Sequence, residues 1–112
     1  MGAKFVQDGC SIDHTPAADV AAGDVVVQGE LVGVAMRDIK TGALGALAVR
    51  GVFDFSKATI AGSAIAMGVN VFWDNVAKLA TTNAAAGANK LIGKTILAAV
   101  DADVTVRVRL LQ

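Results

Sequence analysis

This 112-residue sequence predicts an all-β fold, a small barrel or sandwich built from two similar halves, with an amino-terminal hairpin arm and little helix. Three observations lead there. A strand-turn-strand unit is written twice, turn residues recur at intervals of roughly 8–12 residues, and the apolar runs between them are short and rich in β-branched side chains. At this length a single domain with one modest core is expected, read as an arm over 1–16 that ends at Thr15-Pro16 and a β domain over 17–112.

Taken in order, Phe5-Val6-Gln7 and Cys10-Ser11-Ile12-Asp13-His14 flank Asp8-Gly9, a preferred two-residue turn, and so predict a short hairpin. Thr15-Pro16 ends it, because proline has no N–H to give a ladder and holds its predecessor extended. Residues 17–22 allow at most one helical turn. The first repeat unit follows: Gly23-Asp24 opens the run Val25-Val26-Val27, Gly29-Glu30 turns it, and Leu31-Val32-Gly33-Val34-Ala35 resumes it. Residues 36–46 carry charge and glycine and predict a solvent-facing connection holding a short strand. Residues 47–53 then read as one closing strand, with Leu47, Val49, Gly51 and Phe53 on one face and Arg50 on the other.

Residues 56–66, rich in alanine, fit a short helix or an irregular linker. The second unit opens at Gly68, runs through Val71-Phe72-Trp73, and resumes at Leu91-Ile92-Gly93-Lys94-Thr95 after an insertion whose 80–89 portion reads as a low-complexity loop. Asp101-Ala102-Asp103 is the last turn. Residues 104–110 close the second copy, with Val104, Val106, Val108 and Leu110 inward and Arg107 and Arg109 outward. The two copies thus cover about 22–55 and 67–112.

Composition bounds the function. Apolar residues make up 54% of the chain, and glycine adds 12 of 112, well above the ~45–50% that is ordinary on the same count. A domain this small has too little interior to hide them, so part of its surface is expected to lie against other protein chains. The longest uncharged run, 58–73, is 16 residues with Gly62, Ser63, Gly68 and Asn70 inside it, short of the ~20 apolar positions of a spanning helix, so no membrane partner is expected. No signal peptide is evident, and synthesis in a cytoplasm is expected. Ten basic and ten acidic side chains give no net charge and no basic stripe, which argues against nucleic acid as a partner.

Nothing in the sequence amounts to a catalytic set, so neither an enzyme nor a cofactor is expected. One cysteine and one histidine exclude an internal disulfide and a Cys/His zinc cage within the chain. Cys10 and His14 share a strand face but sit roughly 13 Å apart along it, too far to exchange a proton. Residues 88–95 fit a loose phosphate-loop pattern ending in Gly93-Lys94-Thr95, but the repeat puts Lys94 and Thr95 inside a strand, where no helix N-terminus can surround a phosphate. The acids Asp8, Asp13, Asp19 and Asp24 lack calcium-loop spacing and suit turns and caps. Trp73, the only tryptophan, fits the core; exposed, it would be a stacking platform for an adhesion or carbohydrate-binding module. Arg107 and Arg109 are solvated strand arginines or contacts with another protein.

Seven motifs in register carry a resemblance. They are Lys4-Phe5-Val6-Gln7-Asp8-Gly9 with Ile12-Asp13, Ala22-Gly23-Asp24-Val25-Val26, Leu31-Val32-Gly33-Val34-Ala35, Gly51-Val52-Phe53, Val71-Phe72-Trp73-Asp74, Leu91-Ile92-Gly93 and Val104-Thr105-Val106-Arg107-Val108. In these the chain resembles the small capsid cement, or head decoration, proteins of tailed bacteriophages. It departs from that pattern at Val69-Asn70 and at Phe72. The resemblance implies a structural virion protein, made in the host bacterial cytoplasm, that binds the capsid exterior as a homotrimer and clamps the major capsid protein lattice. The assembly contacts expected are Lys4, Phe5 and Val6 of the arm together with Arg107 and Arg109.

Overall fold

The computed structural model describes Gly2, Ala3 and residues 10–111. Among them are nine strands: β1 (Ser11–His14), β2 (Val25–Gln28), β3 (Leu31–Ala35), β4 (Gly45–Ala48), β5 (Gly51–Ser56), β6 (Asn70–Asp74), β7 (Leu79–Thr81), β8 (Lys90–Thr95) and β9 (Thr105–Leu110). A single 3₁₀ turn, Ala85–Gly87, is the only helical piece among the described residues. The strands form two antiparallel sheets, ordered β1-β4-β3-β2 and β5-β9-β8-β6-β7, and the all-β sandwich expected from the repeat is what the chain builds.

The two sheets are the two copies. In the first, Ala35 pairs with Leu47; in the second, Thr95 pairs with Val108. Val20 bridges Ile39 as Ile65 bridges Ala99. These pairings match β1 to β5, β4 to β9, β3 to β8 and β2 to β6, with β7 appended to the second sheet at the insertion. The hairpin β2–β3 forms because Gly29 takes φ +61 in its turn, a conformation a β-branched residue resists.

The core sits between the sheets. Val25, Val27, Val32 and Val34 of the first sheet pack on Phe55, Val71, Trp73, Ile92, Val106, Val108 and Leu110 of the second. Val32, Val71, Ile92, Val106, Val108 and Leu110 are fully buried, each contributing roughly 1.5–3 kcal/mol over an exposed position. A smaller cluster, Ala35, Ile39 and Leu47 with Ile12, Val20 and Val26, lies on the opposite face of the first sheet under the loops.

One expectation is corrected and two others are resolved in part. Residues 47–53 do not form one strand: β4 ends at Ala48, Arg50 is exposed, and Gly51 at φ +126 redirects the chain into β5 of the other sheet. The positional counterpart of Arg107 is therefore Ala46, not Arg50. Neither 17–22 nor 56–66 is helical: the half-buried Val20 holds the first through its bridge to Ile39, and 56–66 takes the irregular form of its two expected alternatives, tied down by bridges from Lys57 to Ala80 and from the buried Ile65 to Ala99. Of the predicted amino-terminal hairpin, β1 forms and pairs with β4, while Phe5 to Gly9 lie outside the described residues.

Candidate functional site

The last strand follows the expected alternation from Thr105 onward, with Val106, Val108 and Leu110 buried and Thr105, Arg107 and Arg109 facing outward, but Val104, expected on the inward face, precedes the strand and is exposed. Across β5, Arg107 sits opposite Asp54 and grips it with two parallel bonds, Nε to Oδ1 at 2.9 Å and Nη2 to Oδ2 at 3.2 Å. The guanidinium holds the Asp54 carboxyl below its ordinary range, and the carboxylate in turn holds Arg107 above its own. Arg109 lies between Val52 and Lys94 on the neighbouring strands and has no side-chain partner among the described residues. Of the other expected contacts, Lys4, Phe5 and Val6 lie outside the described residues.

The corresponding surface of the first sheet is different. There Asp13 takes the place of Asp54 and Ala46 that of Arg107. Ala46 cannot reach a carboxylate, so Asp13 stands exposed without a side-chain partner among the described residues. What remains is an open groove of 690 Å³, floored by Gly45, Ala46 and Ala48 and walled by Met36 and Leu44. The matching groove of the second sheet, beside Arg107 and Asp54, is only 320 Å³.

Sequence reasoning gave no role to Lys57, which proves central to the second sheet's loops. It is 4% exposed, and its Nζ donates to the carbonyls of Ala58 (2.7 Å), Val100 (3.0 Å), Asp101 (3.3 Å) and Asp103 (3.0 Å), with Ser63 Oγ at 3.4 Å. A buried ammonium is costly unless so many acceptors replace its water. Held this way, the loops present Ile60 and Val100 to solvent. The signal available in the sequence was Ser56-Lys57-Ala58 following an alternating strand, but nothing local distinguishes it from a surface lysine.

Several other polar groups are engaged structurally. Asp19 accepts from Thr41 N and Oγ1, both at 2.8 Å, which lowers its pKa. Lys90 joins the sheets through Glu30 at 2.9 Å. His14 Nδ1 meets the Gln28 amide, and Cys10 is exposed. A cleft of 640 Å³ between β2 and β5 holds Asp24, Asp54 and Lys78; Asp24 accepts from Ala21 N, Asp54 from Arg107, and Lys78 donates to Asn75. Lys94 and Thr95 lie in β8, as the repeat requires, with Thr95 buried. Among the described residues no three metal-ligating side chains come together.

Trp73 is 5% exposed, packed 6.0 Å from Phe55 with its Nε1 donating to Asn75 Oδ1, so its ring offers no platform for a sugar. Eleven large apolar side chains among the described residues are, by contrast, exposed, from Met36 to Leu111. Two sheets with a filled interior, engaged polar groups and a greasy exterior define a structural β module suited to assembly. The family comparison agrees: the model for phage cement proteins matches residues 6–110, and the chain belongs to that family. No curated protein and no solved structure matches it. Membership carries a structural role in the virion and association with the phage capsid.

Proposed function

We propose that this protein binds the outside of a phage head as a homotrimer and stabilises the major capsid protein lattice. The observation that carries the reading is the family match over residues 6–110, and the exposed apolar side chains of an otherwise closed sandwich support it. The mechanism is linkage: a protein that binds only the assembled lattice stabilises it by its binding free energy, multiplied over many copies. The amino-terminal arm supplies one contact, with Lys4, Phe5 and Val6 adding to an edge of a neighbouring sheet.

Mixing purified protein with undecorated heads tests the reading directly. Co-sedimentation and a raised temperature of head disruption are expected, and heads that neither bind nor gain heat resistance overturn it. Removal of residues 1–7 is expected to abolish binding while the β circular-dichroism signal and Tm persist; full binding by that variant excludes the arm. The adhesion reading has no support from the buried Trp73, whose fluorescence is expected to be blue-shifted and poorly quenched by iodide.

A further inference from the structure

Resting on the assembly reading above, we infer that the open groove of the first sheet receives a second copy of this chain, with Arg109 of one subunit paired to Asp13 of the next. The molecule contains its own template for the occupied groove. At matching ladder positions, Asp54 is gripped by Arg107, whereas Asp13 lies opposite Ala46 and has no side-chain partner among the described residues. The groove beside Asp13 is the larger of the two, 690 Å³ against 320 Å³, and holds no guanidinium bound to its acid. What fits there is what fills the other half, a guanidinium aimed at a carboxylate beside a β ladder.

The same chain carries the donor. On the outer face of the second sheet Arg109 and Lys94 are cross-strand neighbours, and the acid of that face, Asp54, is already taken by Arg107. Val52, opposite Arg109, is 52% exposed and matches the apolar walls of the groove, Met36 at 62% and Leu44 at 71%. The other charges lining the groove leave Asp13 as the acceptor. Lys40 pairs with Asp19, Asp38 accepts from Ala22 N, and Arg37 is exposed at the rim. Groove and donor are different surfaces, so the contact is head-to-tail, and the homotrimer proposed above requires it to close into a three-membered ring.

Sedimentation velocity on the full chain tests this with Asp13→Arg, Arg109→Asp and the double swap. Each single reversal is expected to weaken self-association roughly ten-fold or more at low salt, and the double swap to restore it. Asp13→Asn and Arg109→Gln, gentler to the fold, are expected to weaken it in the same direction, with Tm unchanged. Wild-type protein that stays monomeric, single variants that associate normally, or a folded double swap that stays apart each overturn the inference. Variants that keep their oligomeric state but lose co-sedimentation with heads also overturn it, because the groove then seats the capsid lattice. Normal association without head binding sinks the capsid reading alone.

Discussion

The two sheets share a backbone plan and almost none of its side-chain solutions. Both order their strands alike, and both brace the entry to the repeat with the same bonds. Gly23 N donates to Ala35 O at 2.6 Å and Gly68 N to Thr95 O at 2.9 Å, with return bonds from Ala35 N to Asp24 O and from Thr95 N to Val69 O. The acceptor that ties the loops even changes sides: Asp19 receives Thr41 N in the first half, while at the matching positions Asp101 receives Ala64 N in the second. Backbone hydrogen bonds must be made somewhere, and either partner can supply the carboxylate. The halves diverge where they meet other surfaces. The first sheet uses its two faces for two apolar clusters, whereas the second buries one face and charges the other.

Four measurements break or sharpen that comparison. Gly33 and Gly93 occupy matching strand positions, but an added Cβ would lie 2.8 Å from the Leu47 Cβ in one and 1.9 Å from the Arg109 carbonyl oxygen in the other. Both atoms are held by the backbone, but the overlap at Gly93 is far deeper, against a carbonyl oxygen of the neighbouring strand, and that at Gly33 can be relieved by a shift of a few tenths of an ångström. Gly93→Ala is therefore expected to cost about 3 kcal/mol or more in urea unfolding and Gly33→Ala about 1–2 kcal/mol. A reversed order would show that the halves pack alike.

Next in size is Lys57, whose counterpart is the buried Pro16. Lys57→Met leaves the carbonyls of Ala58, Val100, Asp101 and Asp103 without their donor. A loss of about 2–4 kcal/mol is expected, with faster amide exchange concentrated in residues 58–63 and 100–103. Pro16→Ala, which frees the unfolded chain and trims a buried ring but orphans no carbonyl, is expected to cost less, about 1 kcal/mol. Equal losses would deny Lys57 its role.

Ala46→Arg copies the second half's pair into the first. It is expected to engage Asp13, change Tm by little, and abolish self-association by filling the groove; an unchanged sedimentation coefficient would separate the groove from assembly. The smallest effect is in acid. The Asp54 carboxyl is held below its ordinary 3.8 by Arg107, so the pair's contribution is complete above about pH 4 and is lost as pH falls through the lowered value. Arg107→Ala is expected to lower stability slightly at neutral pH, where the exposed pair is intact, and to converge with the wild type in acid below the lowered Asp54 value, a difference that parallel thermal melts would detect.

Much of this was legible in the residues. The alternation of Val106 to Leu110, the Gly29-Glu30 turn and the doubling of the Gly-Asp-Val and Leu-Val-Gly units are local patterns, and local patterns survive in the letters. The strand break between Ala48 and Gly51 was not, because 47–53 alternates without interruption and only the φ of Gly51 shows that the chain leaves one sheet for the other. Arg50 was consequently matched to Arg107. The candidate contact surface was half legible: Arg107 and Arg109 face outward as expected, but the partner that occupies one and leaves the other free lies on β5, 53 residues earlier in the case of Asp54.

By itself the sequence determined the all-β class, the two-fold repeat, the core face of each long strand and the absence of a spanning helical segment, since all of these follow from side-chain period and turn chemistry along the chain. Tertiary structure alone decided that Lys57 is buried, that β1 is the counterpart of β5, and that Asp13 and Asp54, alike in the letters, lie opposite an alanine and an arginine respectively. Those outcomes depend on which strands lie side by side, and strand pairing is set by residues far apart in the chain whose contacts no local pattern encodes.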